Sequence, residues 1–155
     1  MNEYLLVKTV HVISSTLLFG TGIGSAFYMF FASVNRDARI VHFVTRYVVI
    51  ADWAFTTTAI VVQPVTGFWL AHLAGFPLTS RWIAWSIALY LLAGACWLLV
   101  VWMQMRMREM ARLAVEQGVP LPARYWRFFR VWVALGIPAF LSLVVVFYLM
   151  VAKPA

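Results

Sequence analysis

The sequence carries very little charge. Only 11% of its residues are Asp, Glu, Lys or Arg, against 65% that are apolar. A soluble domain of 155 residues needs charge along every helix face. Long stretches here have almost none, so their solvent is lipid. Cysteine is nearly missing as well. The single Cys96 excludes an intramolecular disulfide and reads as a small packed residue. No HExxH, CxxC, P-loop, GxSxG or Rossmann pattern occurs. The run Gly20-Thr-Gly-Ile-Gly24 follows no strand, so it is no dinucleotide site. The serines of the first apolar run belong to a packing face and form no nucleophile–base pair. Period-two alternation is absent, which excludes a membrane barrel. No internal repeat or low-complexity segment is visible.

What is present is four apolar runs, about 4–32, 47–72, 82–105 and 129–151. Each reaches the ~20 helical residues that cross a hydrocarbon core. The first is read as a retained helix rather than a removable signal: Glu3 precedes it, Lys8 lies inside it, and its apolar core is too long. The fold expected is all-α, a single-domain membrane bundle of four up-and-down helices over residues 1–155.

The basic residues set an orientation. Arg36, Arg39 and Arg46 lie between the first two spans, and Arg106, Arg108, Arg112, Arg124, Arg127 and Arg130 lie between the last two. Lys8, Arg81 and Lys153 are all that fall on the opposite side. By the positive-inside rule both termini face outward, and the Arg-rich connections lie in the cytoplasm of a bacterial inner membrane. A sequence pI near 10.2 could point to nucleic acid. The arginines instead sit where insertion demands them, and anionic headgroups are their partners at about 1 kcal/mol each. The helical pattern continues past Met105 over about 106–117 as a cytoplasmic extension, until Gly118, Pro120 and Pro122 stop it. Arg124, Arg127 and Arg130 then alternate with aromatics, as an interfacial belt or as a lipid-headgroup pocket.

Polar groups within spans are costly and draw attention first. On the first span Lys8, His11, Ser15 and Gly22 share a face, and Gly20 and Gly24 make a GxxxG pair. That face suits either helix packing or a flat ligand. On the second span Asp52, Thr56, Gln63 and Thr66 form one stripe. Asp52 is the only carboxylate in any span, and pairing with Arg46 is expected. Pro64 frees the carbonyl of Ile60, which Gln63 or a threonine is expected to satisfy. His11 and His72 both lie toward the outer face, whereas His42 lies near the other.

The opening Val7-Lys8-Thr9-Val10-His11 and the ending Gly136-Ile-Pro138-Ala-Phe140 through Lys153-Pro154 resemble domain-of-unknown-function family 2269, small bacterial integral membrane proteins. The likeness covers nearly the whole chain. It implies a membrane protein and supplies no activity. Lys8-x-x-His11 also looks like the start of the membrane protoporphyrinogen oxidases, which bind haem, and of copper-resistance-type four-helix domains. Leu18 stands near the place of a tryptophan in that pattern, and the third span has no Lys or His.

Two functions follow as expectations. The first is a protein holding a b-type haem or related tetrapyrrole in the outer half of the bundle. His11 would be the axial ligand and His72 a second metal ligand. Lys8 would pair with a propionate, and Gly20, Gly22 and Gly24 would admit the ring. The work would be electron transfer or porphyrin-type oxidation. The second is a cofactor-free accessory protein that associates through its small-residue face with a second copy or a membrane partner. A small transporter fits less well, because four helices enclose little pathway and no broken-helix pair repeats.

Overall fold

A computed structural model describes residues 2–154. It is all-helical. Helix α1 spans Glu3–Asn35, α2 Ala38–Ala51, α3 Thr57–Leu73, α4 Arg81–Gln117 and α5 Ala123–Ala152. Between α2 and α3 the chain makes one π-helical turn, Asp52–Thr56, so 38–73 is a single continuous rod. Four helices are therefore long and apolar enough to span a membrane. Residues 1 and 155, the ends of the expected domain, lie outside the described residues.

Local chemistry fixes the helix ends. Asn2 and Asp37 cap α1 and α2, their side chains accepting from the backbone N–H of Tyr4 and Arg39 at 3.1 and 2.8 Å. Helix α4 runs on to Gln117, where Gly118 turns left-handed at φ 65° and Val119 N–H closes back on the Ala114 carbonyl. Pro120 and Pro122 then separate α4 from α5.

Each of the four spanning rods runs antiparallel to the next. Helix α1 packs on α2 and α3, α2 packs on α4, and α4 lies along α5. At the basic end these contacts converge on one core of Met29, Val41, Val48, Met103, Met107, Tyr125 and Trp132. Tyr125, fully buried, donates its hydroxyl to Ser33 Oγ at 2.7 Å, because the Ser33 proton is committed to the Met29 carbonyl. Elsewhere the bundle is thin. Tyr28, Leu91 and Leu98 each leave about two-thirds of their surface outside, as residues do when lipid is the solvent.

Candidate functional site

The polar stripe of the second rod splits between two jobs. Gln63 and Thr66 face α1. The Gln63 amide donates to the His11 carbonyl at 2.7 Å and to Ser14 Oγ at 2.6 Å. Thr66 Oγ1 lies 2.7 Å from His11 Nδ1. The threonine spends its one proton on the Val62 carbonyl at 2.7 Å. It therefore accepts from His11 Nδ1–H, which fixes the tautomer and leaves Nε2 with its lone pair. The His11 ring also presses on α3, its Cε1 3.4 Å from where a Cβ on Gly67 would sit. This lock joins α1 to α3 in the half away from the basic connections. The nearest polar candidates to hold the His11 ring, by position, are Ser15, Gln63 and His72. The Gln63 side chain reaches the His11 backbone rather than its ring, Ser15 bonds its own helix at the Val12 carbonyl, and His72 is exposed. The ring's partner is Thr66. Lys8 is exposed and lies over the Tyr4 ring, 5.6 Å from its centre.

Asp52 and Thr56 turn the other way, into the bundle. The π turn sets them: Thr57 N–H and Oγ1 both close on the Asp52 carbonyl, five residues back. A π turn carries one extra residue per turn and so re-aims what precedes it. Thr56 donates to Asp52 Oδ1 at 3.0 Å. The Arg46–Asp52 pair does not form. The two ion pairs among the described residues join Arg112 to Glu109 and Glu116 on the exposed extension. Six residues turn a helix by about 240°, which leaves Arg46 exposed while Asp52 is buried at 3% exposure. Asp52 instead has the Gln104 amide of α4 as a neighbour.

These two residues line a cavity of about 530 Å³ between the α1–α3 and α4–α5 pairs. Its lining comes from residues 18–30 of α1, 52–60, 90–104 of α4 and 132–143 of α5. These segments lie at mid-helix or nearer the basic connections. The cavity is thus not in the outer half, and neither His11 nor His72 lines it. Gly22, Gly94 and Gly136 do, from three helices, and a Cβ on any of them meets no atom within 4 Å. Gly20 and Gly24 are equally free of neighbours but lie off the cavity.

The walls are apolar, with a few polar atoms left without partners. Asp52 Oδ2, Gln104 Oε1, and the indole Nε1 of Trp97 and Trp132 are all buried and unbonded, and all four residues line the cavity. Each of these atoms has almost no accessible surface, so it lies behind the apolar wall rather than on it. Tyr90 also lines it, but its hydroxyl is already committed, donating to the Ile60 carbonyl at 2.7 Å. That carbonyl is the one Pro64 frees. The satisfying group comes from α4 rather than from Gln63 or a threonine, because those side chains are engaged with α1 or their own turns.

Sequence reasoning reached Asp52, Thr56 and Gly22, and missed Gln104, Trp97, Trp132 and Tyr90. Gln104 had a signal: it is the only carboxamide in the third span, seven residues beyond Trp97 and hence on the same face. Among the described residues, no group of three or more His, Cys, Asp or Glu side chains comes together to hold a metal.

The chain belongs to the DUF2269 family of predicted integral membrane proteins, matched over residues 5–154.

No curated protein and no solved structure matches it. It is an integral membrane protein, and its particular work must be read from the cavity.

Proposed function

We propose that this membrane protein binds a lipophilic small molecule in the cavity between its two helix pairs. One observation supports this above the others: an apolar intramembrane space of about 530 Å³ whose lining includes Asp52, Gln104 and two tryptophans. Small-molecule sites have this composition, mostly apolar with a few placed polar groups, and volumes of roughly 300–1,000 Å³. The test is native mass spectrometry of protein extracted in mild detergent. Wild type is expected to retain a lipophile that a Gly136→Phe variant, with the cavity filled, does not. Equal retention by both would end this reading.

The tetrapyrrole reading has one observation in its favour. With Nδ1–H given to Thr66, the free lone pair of His11 is on Nε2, as an iron ligand requires. The residues do not fit a two-histidine site, because His72 is exposed and neither histidine is on the cavity. A ring held by His11, with Lys8 at a propionate, would lie outside it. An absorption spectrum of the purified protein separates the two: a Soret band lost in His11→Ala supports haem b, and its absence removes that cofactor while leaving the lipophile reading intact. The accessory reading rests on Gly20 and Gly24, which have open space beside them. A monomer in detergent and in bilayer discs would count against it.

The same charge bias that orients the chain argues for a bacterial inner membrane, with Arg36, Arg39, Arg106, Arg124, Arg127 and Arg130 exposed toward anionic headgroups on the cytoplasmic side.

A further inference from the structure

We propose that the occupant is an anionic phospholipid, held with its phosphate on Arg36 and Trp126 and one acyl chain laid along the seam between α1 and α5 into the cavity. This deepens the lipophile reading and rests on it.

The seam joins two spaces. The backbones of α1 and α5 hardly approach each other, and aromatic side chains span the gap. Phe19 stacks on Phe140, centroids 5.3 Å apart, and Phe30 meets Phe129 at 5.6 Å. Between these contacts Ile23 and Ile137 line the cavity and are also exposed, so the cavity opens on the surface that lipid covers. Past Phe30 the seam continues toward the basic end. Ser33 bonds Tyr125, and Arg36 then lies over the Trp126 ring, 5.5 Å from its centre. Here a second cavity, about 310 Å³, is lined by Arg36, Trp126, and Pro120 and Leu121 of the α4–α5 connection. Trp126, Val133, Ile137 and Phe140 fall on one face of α5, so a single face borders both spaces. Phe30 is itself exposed, which lets a chain pass over the outer edge of its contact with Phe129. From Ile23 to Arg36 is roughly 20 Å along α1. Half a bilayer, measured out to its headgroups, is about 20–22 Å. A phosphate at Arg36 therefore leaves its chain long enough to reach the cavity mouth.

The head follows from Arg36. This residue closes α1 in the left-handed region, at φ 63°, a place usually given to glycine or asparagine. Stacking on Trp126 uses the face of the guanidinium and leaves its N–H edge free for two phosphate oxygens. No carboxylate among the described residues pairs with it. The two ion pairs there both use Arg112, and neighbouring Asp37 caps α2 at the Arg39 N–H. Arg39, Arg124, Arg127 and Arg130 stand exposed on the same side. A head with net negative charge meets this surplus of cations. A choline or ethanolamine head adds one more, and the Trp126 ring that could take it already holds Arg36. The chain follows from the wall of the larger cavity. Its accessible surface is largely apolar, with the unpaired polar atoms behind it, and an acyl chain asks for nothing else.

Four probes test this: dioleoyl phosphatidylglycerol, dioleoyl phosphatidylcholine, dioleoylglycerol and glycerol 3-phosphate. Each is equilibrated with the delipidated full-length protein in detergent, and the bound fraction is read by native mass spectrometry. Wild type is expected to hold phosphatidylglycerol about tenfold better than dioleoylglycerol, the factor one hydrogen bond to a charged group supplies. Phosphatidylcholine should fall between them, and glycerol 3-phosphate should not bind. Arg36→Gly should abolish the advantage and leave dioleoylglycerol binding as it was. It should not lower the unfolding temperature of the lipid-free protein, because glycine suits the turn. Arg39→Gln, an equal loss of charge off the pocket, should keep the advantage. Gly136→Phe should weaken both phosphatidylglycerol and dioleoylglycerol, with helical content unchanged by circular dichroism. If Arg36→Gly keeps the preference, or Arg39→Gln loses it equally, the head site fails and lipophile binding survives. Phosphatidylcholine held as well as phosphatidylglycerol would overturn the anionic head. Glycerol 3-phosphate held as tightly as the phospholipid would make this a free-phosphate site and sink the lipid assignment. If Gly136→Phe binds dioleoylglycerol as wild type does, the acyl-chain placement and the lipophile reading fail together.

Discussion

His11, a candidate ligand by its place in the first span, is half of a lock between two helices. Helices in lipid gain no hydrophobic drive for association, so such hydrogen bonds and close packing carry it. The His11–Thr66 pair should show a coupling of about 0.6 kcal/mol in a double-mutant cycle of His11→Ala and Thr66→Val, the mean for interhelical hydrogen bonds in membranes. A reversible unfolding titration in mixed micelles measures it. Gln63→Leu should cost more than either single change, because it leaves both Ser14 Oγ and the second lone pair of the His11 carbonyl without their donor. Legibility at this scale was uneven for a physical reason. Spacing showed that Asp52, Thr56, Gln63 and Thr66 share a stripe, since side-chain direction follows from helical period. It could not show that the stripe divides, because the π turn at Asp52–Thr56 breaks the period between its halves. Tryptophans of the third and fourth spans read as ordinary apolar bulk, and only the packed bundle reveals which indole N–H groups lack partners.

At the scale of the element, the second rod combines a π turn with an internal proline, and what the proline frees has a partner. Pro64 removes a donor, and Tyr90 of α4 replaces it at the Ile60 carbonyl. Tyr90→Phe should therefore destabilise the protein by about 1–2 kcal/mol, the cost of an orphaned buried acceptor. In a Pro64→Ala background residue 64 regains its N–H and takes the same carbonyl. The cost of Tyr90→Phe should then fall well below its value in wild type, and thermal unfolding of the four proteins reads this directly. Equal costs in both backgrounds would mean that the hydroxyl acts through packing alone. The proline was legible from sequence, as was the need to satisfy what it frees. The source of the donor was not, because it depends on how α4 passes α3, and no local pattern encodes that approach.

For the whole molecule, the four-helix all-α architecture was legible from run lengths alone, because lipid permits so few backbone solutions. Its orientation is the remaining expectation. Reporter fusions at Gly118 should report cytoplasm, and fusions at Gly75 or at the C-terminus should report the outside. The opposite pattern would overturn the charge-bias argument. The described structure already puts Lys153, at the end of α5, over the Phe76 ring in the α3–α4 connection, at 4.9 Å. Glu3 likewise accepts from the Trp69 indole at 3.0 Å. Both chain ends and that connection thus share one side. Between α1 and α5 the cavity-lining Ile23 and Ile137 are exposed, and this opening, bracketed by the Phe19–Phe140 and Phe30–Phe129 contacts, runs from mid-helix toward the other side. It consequently opens into one monolayer of the bilayer and is closed to its opposite. A lipophile made or delivered in the far monolayer must first cross the midplane. For a molecule that crosses slowly, the protein would sample two pools of the same compound unequally, and its occupancy would report the composition of a single leaflet.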